Sequence, residues 1–207
     1  TPNDTNTGFP SSDMLILPTL IALRKDNNPP PASQAKRNPR DIPVAPDQVK
    51  GNVDSTSGRF GDSRRFRNGS IEIGQPTTYS IGEGSFSVSL WLRAPEDRGD
   101  RESRHLISAG AGEANDGGWA LLINRSSNTI TFQLGDGEHQ ASIGAAAKNL
   151  TNGTWWHVAA TVDRPSGMVQ LYLNGGLLAG QCVDFVGRGG IDSAAGLSIG
   201  RGTDERR

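Results

Sequence analysis

The chain has 207 residues, enough for one β-sandwich of ordinary size with an appendage rather than two full domains. Lys and Arg number 21 against 22 Asp and Glu, so the net charge of −1 offers no basic excess for a nucleic-acid backbone. The longest apolar stretch, residues 14–23 interrupted by Pro18, is about half of the ~20 residues that a membrane-spanning helix needs. Nucleic-acid binding and a membrane span are therefore set aside.

Residues 1–50 differ in composition from the rest of the chain. They hold nine of the twelve prolines, whereas 26 of the 27 glycines and all four tryptophans follow them. Because proline lacks an N–H and fixes φ, residues 24–50 are not expected to form a continuous helix or an inner strand. The sequence predicts two parts: an extended, proline-rich N-terminal arm over residues 1–50 and a globular domain over residues 51–207.

An apolar segment stands out from the polar sequence of the arm. Its members are Met14, Leu15, Ile16, Leu17, Leu20, Ile21 and Leu23. Two interpretations stay open. The segment packs against the chain's own globular domain, or it binds a partner, which is another protein chain or a membrane surface.

From residue 57 onward, short runs of alternating apolar and polar residues indicate antiparallel strands with one wet face. In the clearest run, residues 86–92, alternation places Trp91 on the face opposite Phe86, Val88 and Leu90. We predict further strands at residues 70–73, 105–108, 119–123, 129–134, 156–162, 169–173 and 197–199. No segment has a convincing helical period. The pattern predicts an all-β fold, a jelly-roll sandwich of two antiparallel sheets, with barrel closure as the weaker alternative.

The order of several motifs resembles a known family. The motifs are SGRFG at residues 57–61, FSVSLWL at 86–92, GWALLIN at 118–124, TWWHVAATVD at 154–163, VQLYLNG at 169–175 and LSIG at 197–200. Together they resemble the laminin-G-like domain of the concanavalin A-like lectin/glucanase superfamily, over about residues 57–203. The resemblance implies two curved antiparallel sheets that bind carbohydrates, proteins or calcium, with glycan hydrolysis in some branches only.

The sequence departs from the family pattern at its C-terminal end. Family members usually continue past the LSIG strand into a final strand that pairs with the first, whereas this sequence stops at Arg207. We therefore expect an unpaired strand edge at residues 70–73 or at a neighbouring strand. The candidates to fill it are the arm's Met14–Leu17, a strand of a partner and a cleaved C-terminal remainder, and we predict Met14–Leu17.

Catalysis is not expected, and no catalytic residue is assigned. The hydrolytic branches of the superfamily place paired carboxylates at alternating positions on one strand, and this sequence has no such strand. Its acidic residues fall in turns and loop clusters, and no nucleophile motif surrounds Cys182 or any serine.

Metal binding has little support in the sequence, and no metal site or cofactor is predicted. The three histidines lie far apart and fit no local metal-ligand spacing. Only analogy with the family suggests Ca²⁺, from Asp116, Asp136 or Asn174 at the rim of the sandwich, and no dense run of acidic ligands supports it.

A sugar-binding surface combines an aromatic ring, which stacks on a pyranose, with a few amide or carboxylate groups. Trp91 is the best aromatic candidate because strand alternation places it opposite the apolar face of its strand. For Trp91, as for Trp119, Trp155 and Tyr172, packing in or across the sheets is the simpler interpretation. The polar candidates, in the loops at the rim of the sandwich, are Asn115, Asp116 and Asp136.

These observations favour a non-catalytic interaction or structural subunit of a larger extracytoplasmic or membrane-associated assembly, tethered to protein partners by its arm. The alternative is an extracellular, lectin-like carbohydrate-binding module, and a glycoside hydrolase is the least favoured interpretation. The sequence begins at Thr1 without a basic and apolar leader. We therefore expect a mature, extracytoplasmic protein, either periplasmic or secreted to the cell surface.

Overall fold

The computed structural model describes residues 14–17, 49–73, 81–94, 103–110, 117–124, 127–150, 152–187, 190–191 and 196–200, with the backbone alone for residues 14–17. Twelve β-strands run through these residues. They are β1 Met14–Leu17, β2 Val49–Ser57, β3 Asp62–Ile73, β4 Phe86–Arg93, β5 Ser103–Gly110, β6 Gly118–Asn124, β7 Thr129–Gly135, β8 Gln140–Ala146, β9 Trp155–Asp163, β10 Met168–Leu173, β11 Gly176–Cys182 and β12 Leu197–Ile199. The helical element in the same ranges is a 3₁₀ turn at Asp184–Gly187, and no helix there is long and apolar enough to cross a membrane.

All the strand pairs are antiparallel. The strands follow one hydrogen-bonded path, β11-β10-β9-β4-β1-β3-β12-β5-β6-β7-β8, and β2 pairs with β3 beside it. This path is folded into two sheets that pack face to face. The predicted all-β jelly-roll sandwich of two antiparallel sheets is confirmed, and so is each predicted strand.

Strand β3 serves both sheets. Residues 64–66 pair with β1 at one end, and residues 71–73 pair with β12 at the other. Between these stretches Asn68 has a positive φ of 53°, and the register of the neighbouring β2 shifts between Lys50 and Asn52. Such irregularities bend and twist a strand, which lets one strand pass from the first sheet to the second.

The core lies between the two sheets and is apolar. In β4 every second residue is buried, as alternation predicts, and Trp91 is only partly buried on the opposite face. The Phe86 ring of β4 is 5.8 Å from the Trp119 ring of β6 and 6.4 Å from the Phe132 ring of β7. These contacts join the sheets, and Trp119, 1% exposed, is therefore a core residue.

The segment Met14–Leu17 forms β1 in the interior of a sheet. Residues 14–16 pair with residues 64–66 of β3, and residues 15–17 pair with residues 91–93 of β4. The predicted main-chain pairing of this segment with the sandwich is confirmed. The segment joins β3, the strand that contains residues 70–73, at residues 64–66 rather than at the expected position, because residues 71–73 pair with β12. Leu20, Ile21 and Leu23 lie outside the described residues.

Candidate ligand-binding groove

The outer face of the sheet carries aromatic and polar side chains near one end of β4 and β9. In register, Trp91 lies beside His157 and Arg93 lies beside Trp155. Directly paired residues of antiparallel strands project to the same side, and Leu92, between Trp91 and Arg93, is buried in the core. These four side chains therefore share the face turned away from the core. The rings of Trp91 and His157 are 5.2 Å apart.

A tight turn closes this face beside His157. Asn174 and Gly175 connect β10 to β11 with φ of 50° and 83°, the left-handed conformation that a two-residue hairpin turn of this type needs. The Asn174 side chain accepts a hydrogen bond from the His157 backbone N–H at 2.8 Å. The Asn174 backbone N–H donates to the His157 carbonyl oxygen, also at 2.8 Å. The turn is thus fixed to β9 at the position of His157.

The tip of the β2–β3 hairpin covers Trp91 from another direction. Within the tip, the Gly58 N–H donates to the Gly61 carbonyl oxygen at 2.6 Å. The Phe60 ring meets Trp91 edge-on, with ring centroids 5.4 Å apart. The Arg59 guanidinium carbon lies 4.4 Å from the Trp91 ring centroid and 5.3 Å from that of Phe60. The tip therefore holds a cation against two aromatic rings.

An open groove of about 480 Å³ lies between these parts. Its described lining consists of Arg59, Trp91, Trp155, His157, Asn174 and Gly175. Partial burial of the His157 imidazole lowers its pKa below the usual 6.5, so the ring is neutral at pH 7. Arg59 is then the charged group among these lining residues.

A family model for the concanavalin A-like lectin/glucanases superfamily, of laminin-G type, matches residues 67–207, more than half of the chain. This chain belongs to the concanavalin A-like lectin/glucanase superfamily. The resemblance seen in the sequence motifs is confirmed. No curated protein sequence is similar enough to count as a relative.

Several solved structures are similar to this chain at low sequence identity. Mouse laminin alpha1 chain, domains LG4-5, matches at 13% identity and a TM-score of 0.45, over 58% of this chain and 28% of that one. The Ruminococcus gnavus IT-sialidase CBM40, bound to α2,3-sialyllactose, matches at 19% identity and a TM-score of 0.44, over 55% of this chain and 62% of that one. The carbohydrate-binding module CBM66 from Bacillus subtilis matches at 12% identity and a TM-score of 0.42, over 73% of this chain and 86% of that one. This chain spans less than two-thirds of the length of the first two structures.

The superfamily domain places Trp91 in the groove, whereas Asp136 lies elsewhere, in the β7–β8 turn. The backbone N–H groups of Glu138 and His139 donate to one oxygen of the Asp136 carboxylate, at 2.8 and 2.6 Å. The other oxygen is 3.1 Å from Nδ1 of His139. The carboxylate is therefore engaged within its own turn. Asn115 and Asp116 lie outside the described residues, so their part in ligand binding stays a prediction.

Metal binding has no support in the described ranges of the superfamily domain. Within those ranges no three His, Cys, Asp or Glu side chains gather closely enough to hold a metal ion. The lining of the groove there includes one imidazole, no carboxylate and no thiol.

His157 was not foreseen as a ligand-binding residue, and neither were Arg59 and Phe60. Arg59 and Phe60 belong to the SGRFG motif, which served only as a family signal. Gly58 and Gly61, on either side of them, mark a tight turn that presents the intervening side chains to solvent. That pattern indicates that residues 59 and 60 are exposed. The strand against which they pack is determined only by the tertiary fold.

Proposed function

We propose that this concanavalin A-like domain is a non-catalytic carbohydrate-binding module whose ligand lies in the groove along β4 and β9. The observation that carries the proposal is the lining, in which indole rings adjoin a guanidinium, an imidazole and an amide. A pyranose offers a C–H face to a ring and hydroxyls to polar groups, so this mixture suits a sugar. The groove volume of about 480 Å³ lies within the range for small-ligand sites, roughly 300–1,000 Å³.

Trp155 is the ring on which we place the sugar. Arg59 and Phe60 already pack against Trp91, so part of that indole is covered. Among the described residues no ring or guanidinium packs against Trp155, which is half-buried and lines the groove. Beside it, Arg93 donates from Nε to the Gly153 carbonyl oxygen at 2.7 Å, which anchors the neighbouring loop. Trp91 then acts mainly as the support for Arg59.

The chemistry of the described lining supports binding without turnover. Glycoside hydrolysis uses a pair of carboxyl groups on opposite sides of the scissile bond. The described lining residues include no Asp or Glu. His157 is neutral at pH 7, and a single imidazole does not replace such a pair. This supports a site that holds a saccharide without cleaving it.

The role of the arm in a larger assembly is the second candidate, and the structure makes Met14–Leu17 less suited to it. The backbone of these residues pairs on one side with β3 and on the other with β4. A strand with two neighbours has no free ladder edge to offer a partner. A tethering role therefore rests on Leu20, Ile21 and Leu23. We also propose that the domain acts outside the cytoplasm, where it can bind extracellular polysaccharides.

The proposal is tested by probing a glycan array with the full chain and measuring the strongest ligand by calorimetry. Trp155→Ala should weaken binding by about tenfold or more, since a stacked aromatic residue at a binding hot spot contributes about 2 kcal/mol. The matched control is Leu177→Ala, which truncates a 60% exposed side chain on β11 and should leave affinity unchanged. Failure of the wild-type chain to bind any saccharide, or equal affinity of Trp155→Ala and wild type, would contradict the proposal.

A further inference from the structure

The Arg59 guanidinium is held in the groove by aromatic rings rather than by a carboxylate. Its Cζ is 4.4 Å from the Trp91 ring centroid and 5.3 Å from that of Phe60. Among the described residues, no Asp or Glu forms an ion pair with it. A guanidinium that stacks on rings uses its flat faces, and its N–H donors lie in the plane, at the edge. The donors remain available to a ligand.

The charge of the described groove lining is unbalanced. Arg59 carries a positive charge, and Trp91, Trp155, Asn174 and Gly175 carry none. Burial holds the His157 ring in its neutral form at pH 7. The described lining is therefore cationic, although the whole chain has a net charge of −1. A neutral saccharide would leave this charge without a partner.

The position of Arg59 is fixed before a ligand arrives. The turn at residues 58–61 is closed by the bond from the Gly58 N–H to the Gly61 carbonyl oxygen, and Gly61 has a φ of 90° that disfavours other residues. Phe60 packs edge-on against Trp91 and anchors the same turn to β4. Less conformational freedom is then lost when a ligand binds, which favours affinity.

We propose that the groove selects saccharides that carry an anionic group, with Arg59 as the residue that binds the anion and Trp155 as the residue that stacks on the ring. The proposal rests on the carbohydrate-binding function above and specifies its ligand class. A carboxylate or a sulfate ester presents two oxygens that match the guanidinium fork in a bidentate pair. A uronic-acid chain and a sulfated glycan share this chemistry.

The experiment uses the full chain and two matched pairs of ligands. One pair is an oligogalacturonate and its fully methyl-esterified form, and the other is a heparin oligosaccharide and its desulfated form. Calorimetry should show that the anionic member of at least one pair binds about tenfold or more tightly than its neutral counterpart, as expected for a hydrogen-bonded charge pair. The pair that shows the difference identifies the anionic group.

Variants then assign the preference to Arg59. Arg59→Ala should bring the affinities for the charged and neutral members together, and Arg59→Lys should keep part of the difference because it retains the charge without the fork. Arg64→Ala removes the same charge from an exposed position on β3 outside the groove lining and should preserve the preference. Circular dichroism checks that each variant is folded.

The outcomes separate this inference from the proposed function. Equal binding of both members of each pair overturns the anion selectivity and leaves carbohydrate binding intact. If Arg59→Ala and Arg64→Ala lose the preference for the anionic ligand equally, the preference comes from general charge attraction, and the anion selectivity of the groove is also overturned. If the wild-type chain binds no saccharide of any kind, the proposed function fails as well.

Discussion

The Phe66 ring occupies the space that a side chain at Gly200 would need. A Cβ on Gly200 would lie 2.6 Å from Cε1 of Phe66, and the φ of Gly200 is 75°. Gly200→Ala should therefore destabilise the fold for two reasons. Alanine disfavours the left-handed backbone conformation, and its Cβ would overpack the buried ring of Phe66. We expect a loss of about 2–5 kcal/mol in the free energy of unfolding, measured by urea denaturation.

Gly153 provides the control for this substitution. Its φ is 76°, but an added Cβ would meet nothing within 4 Å. Gly153→Ala should show the backbone penalty alone, about 1–2 kcal/mol. Equal losses in the two variants would show that the contact with Phe66 contributes nothing.

His157 should make the stability of the domain depend on pH in the weakly acidic range. Burial lowers its pKa below 6.5, so the unfolded chain binds a proton at a higher pH than the folded chain. The stability that neutral His157 contributes is complete above pH 6.5, and it is lost as pH falls from there through the lowered folded pKa. Unfolding free energies from pH 5 to 8 should fall less toward low pH in His157→Gln than in wild type. An NMR titration that places the His157 pKa at or above 6.5 would refute this prediction.

Asp136 should stabilise the β7–β8 hairpin. Partial burial of its carboxyl acts to raise the pKa, but hydrogen bonds from the backbone N–H groups of His139 and Glu138 and the contact with the His139 ring outweigh it, so the pKa is lowered below 3.8. Asp136→Ala should lower the unfolding free energy by about 1–3 kcal/mol at pH 7. Asp136→Asn keeps an acceptor oxygen and should lose less. The depressed pKa means that the ionic part of this stability is present above pH 3.8 and is lost as pH falls through the folded pKa.

Ligand affinity provides the control for Asp136. Because this residue does not line the groove, saccharide binding by the folded Asp136→Ala variant should match wild type. A loss of saccharide affinity in Asp136→Ala without a loss of stability would show instead that Asp136 binds the ligand.

Proline at Ile16 should expel β1 from its sheet. An inner strand with neighbours on both sides does not tolerate a residue that lacks an N–H. In Ile16→Pro, hydrogen exchange should become faster at residues 64–66 and 91–93, which β1 pairs with. Ala32→Pro, within the proline-rich arm sequence, is the control and should leave exchange at these positions unchanged. Unchanged protection in Ile16→Pro would argue against the inserted strand.

The strands that sequence predicts are those with one buried and one exposed face. β4 shows this alternation over its whole length. The structure adds β2, β8 and β11, each of which pairs with a single neighbour in the described part of the chain. β2 and β11 contain no fully buried residue, and β8 contains one, Ile143. Hydrogen bonding rather than burial defines such strands, so they leave little hydrophobic pattern to detect.

The groove was predictable only where it depends on a single strand. Alternation along β4 was enough to place Trp91 on the outer face. It could not bring Arg59 over that ring, because the contact depends on how the β2–β3 hairpin folds across a strand 32 positions further on. Trp155 was considered only as one of four aromatic residues. Its pairing with Arg93, which sets its face, is a long-range register between β4 and β9.

Strand β1 is the first of the twelve strands to be synthesised, and it must wait for both of its neighbours. Its pairing partners extend to Arg93, so translation must pass that residue before the gap between β3 and β4 exists. At roughly 5–20 residues per second, Met14–Leu17 waits several seconds on the ribosome for that gap. Throughout this interval the nascent chain presents a short apolar strand with no slot to enter. Chaperones that bind apolar segments, and neighbouring nascent chains on the same message, therefore compete for it before the domain itself does.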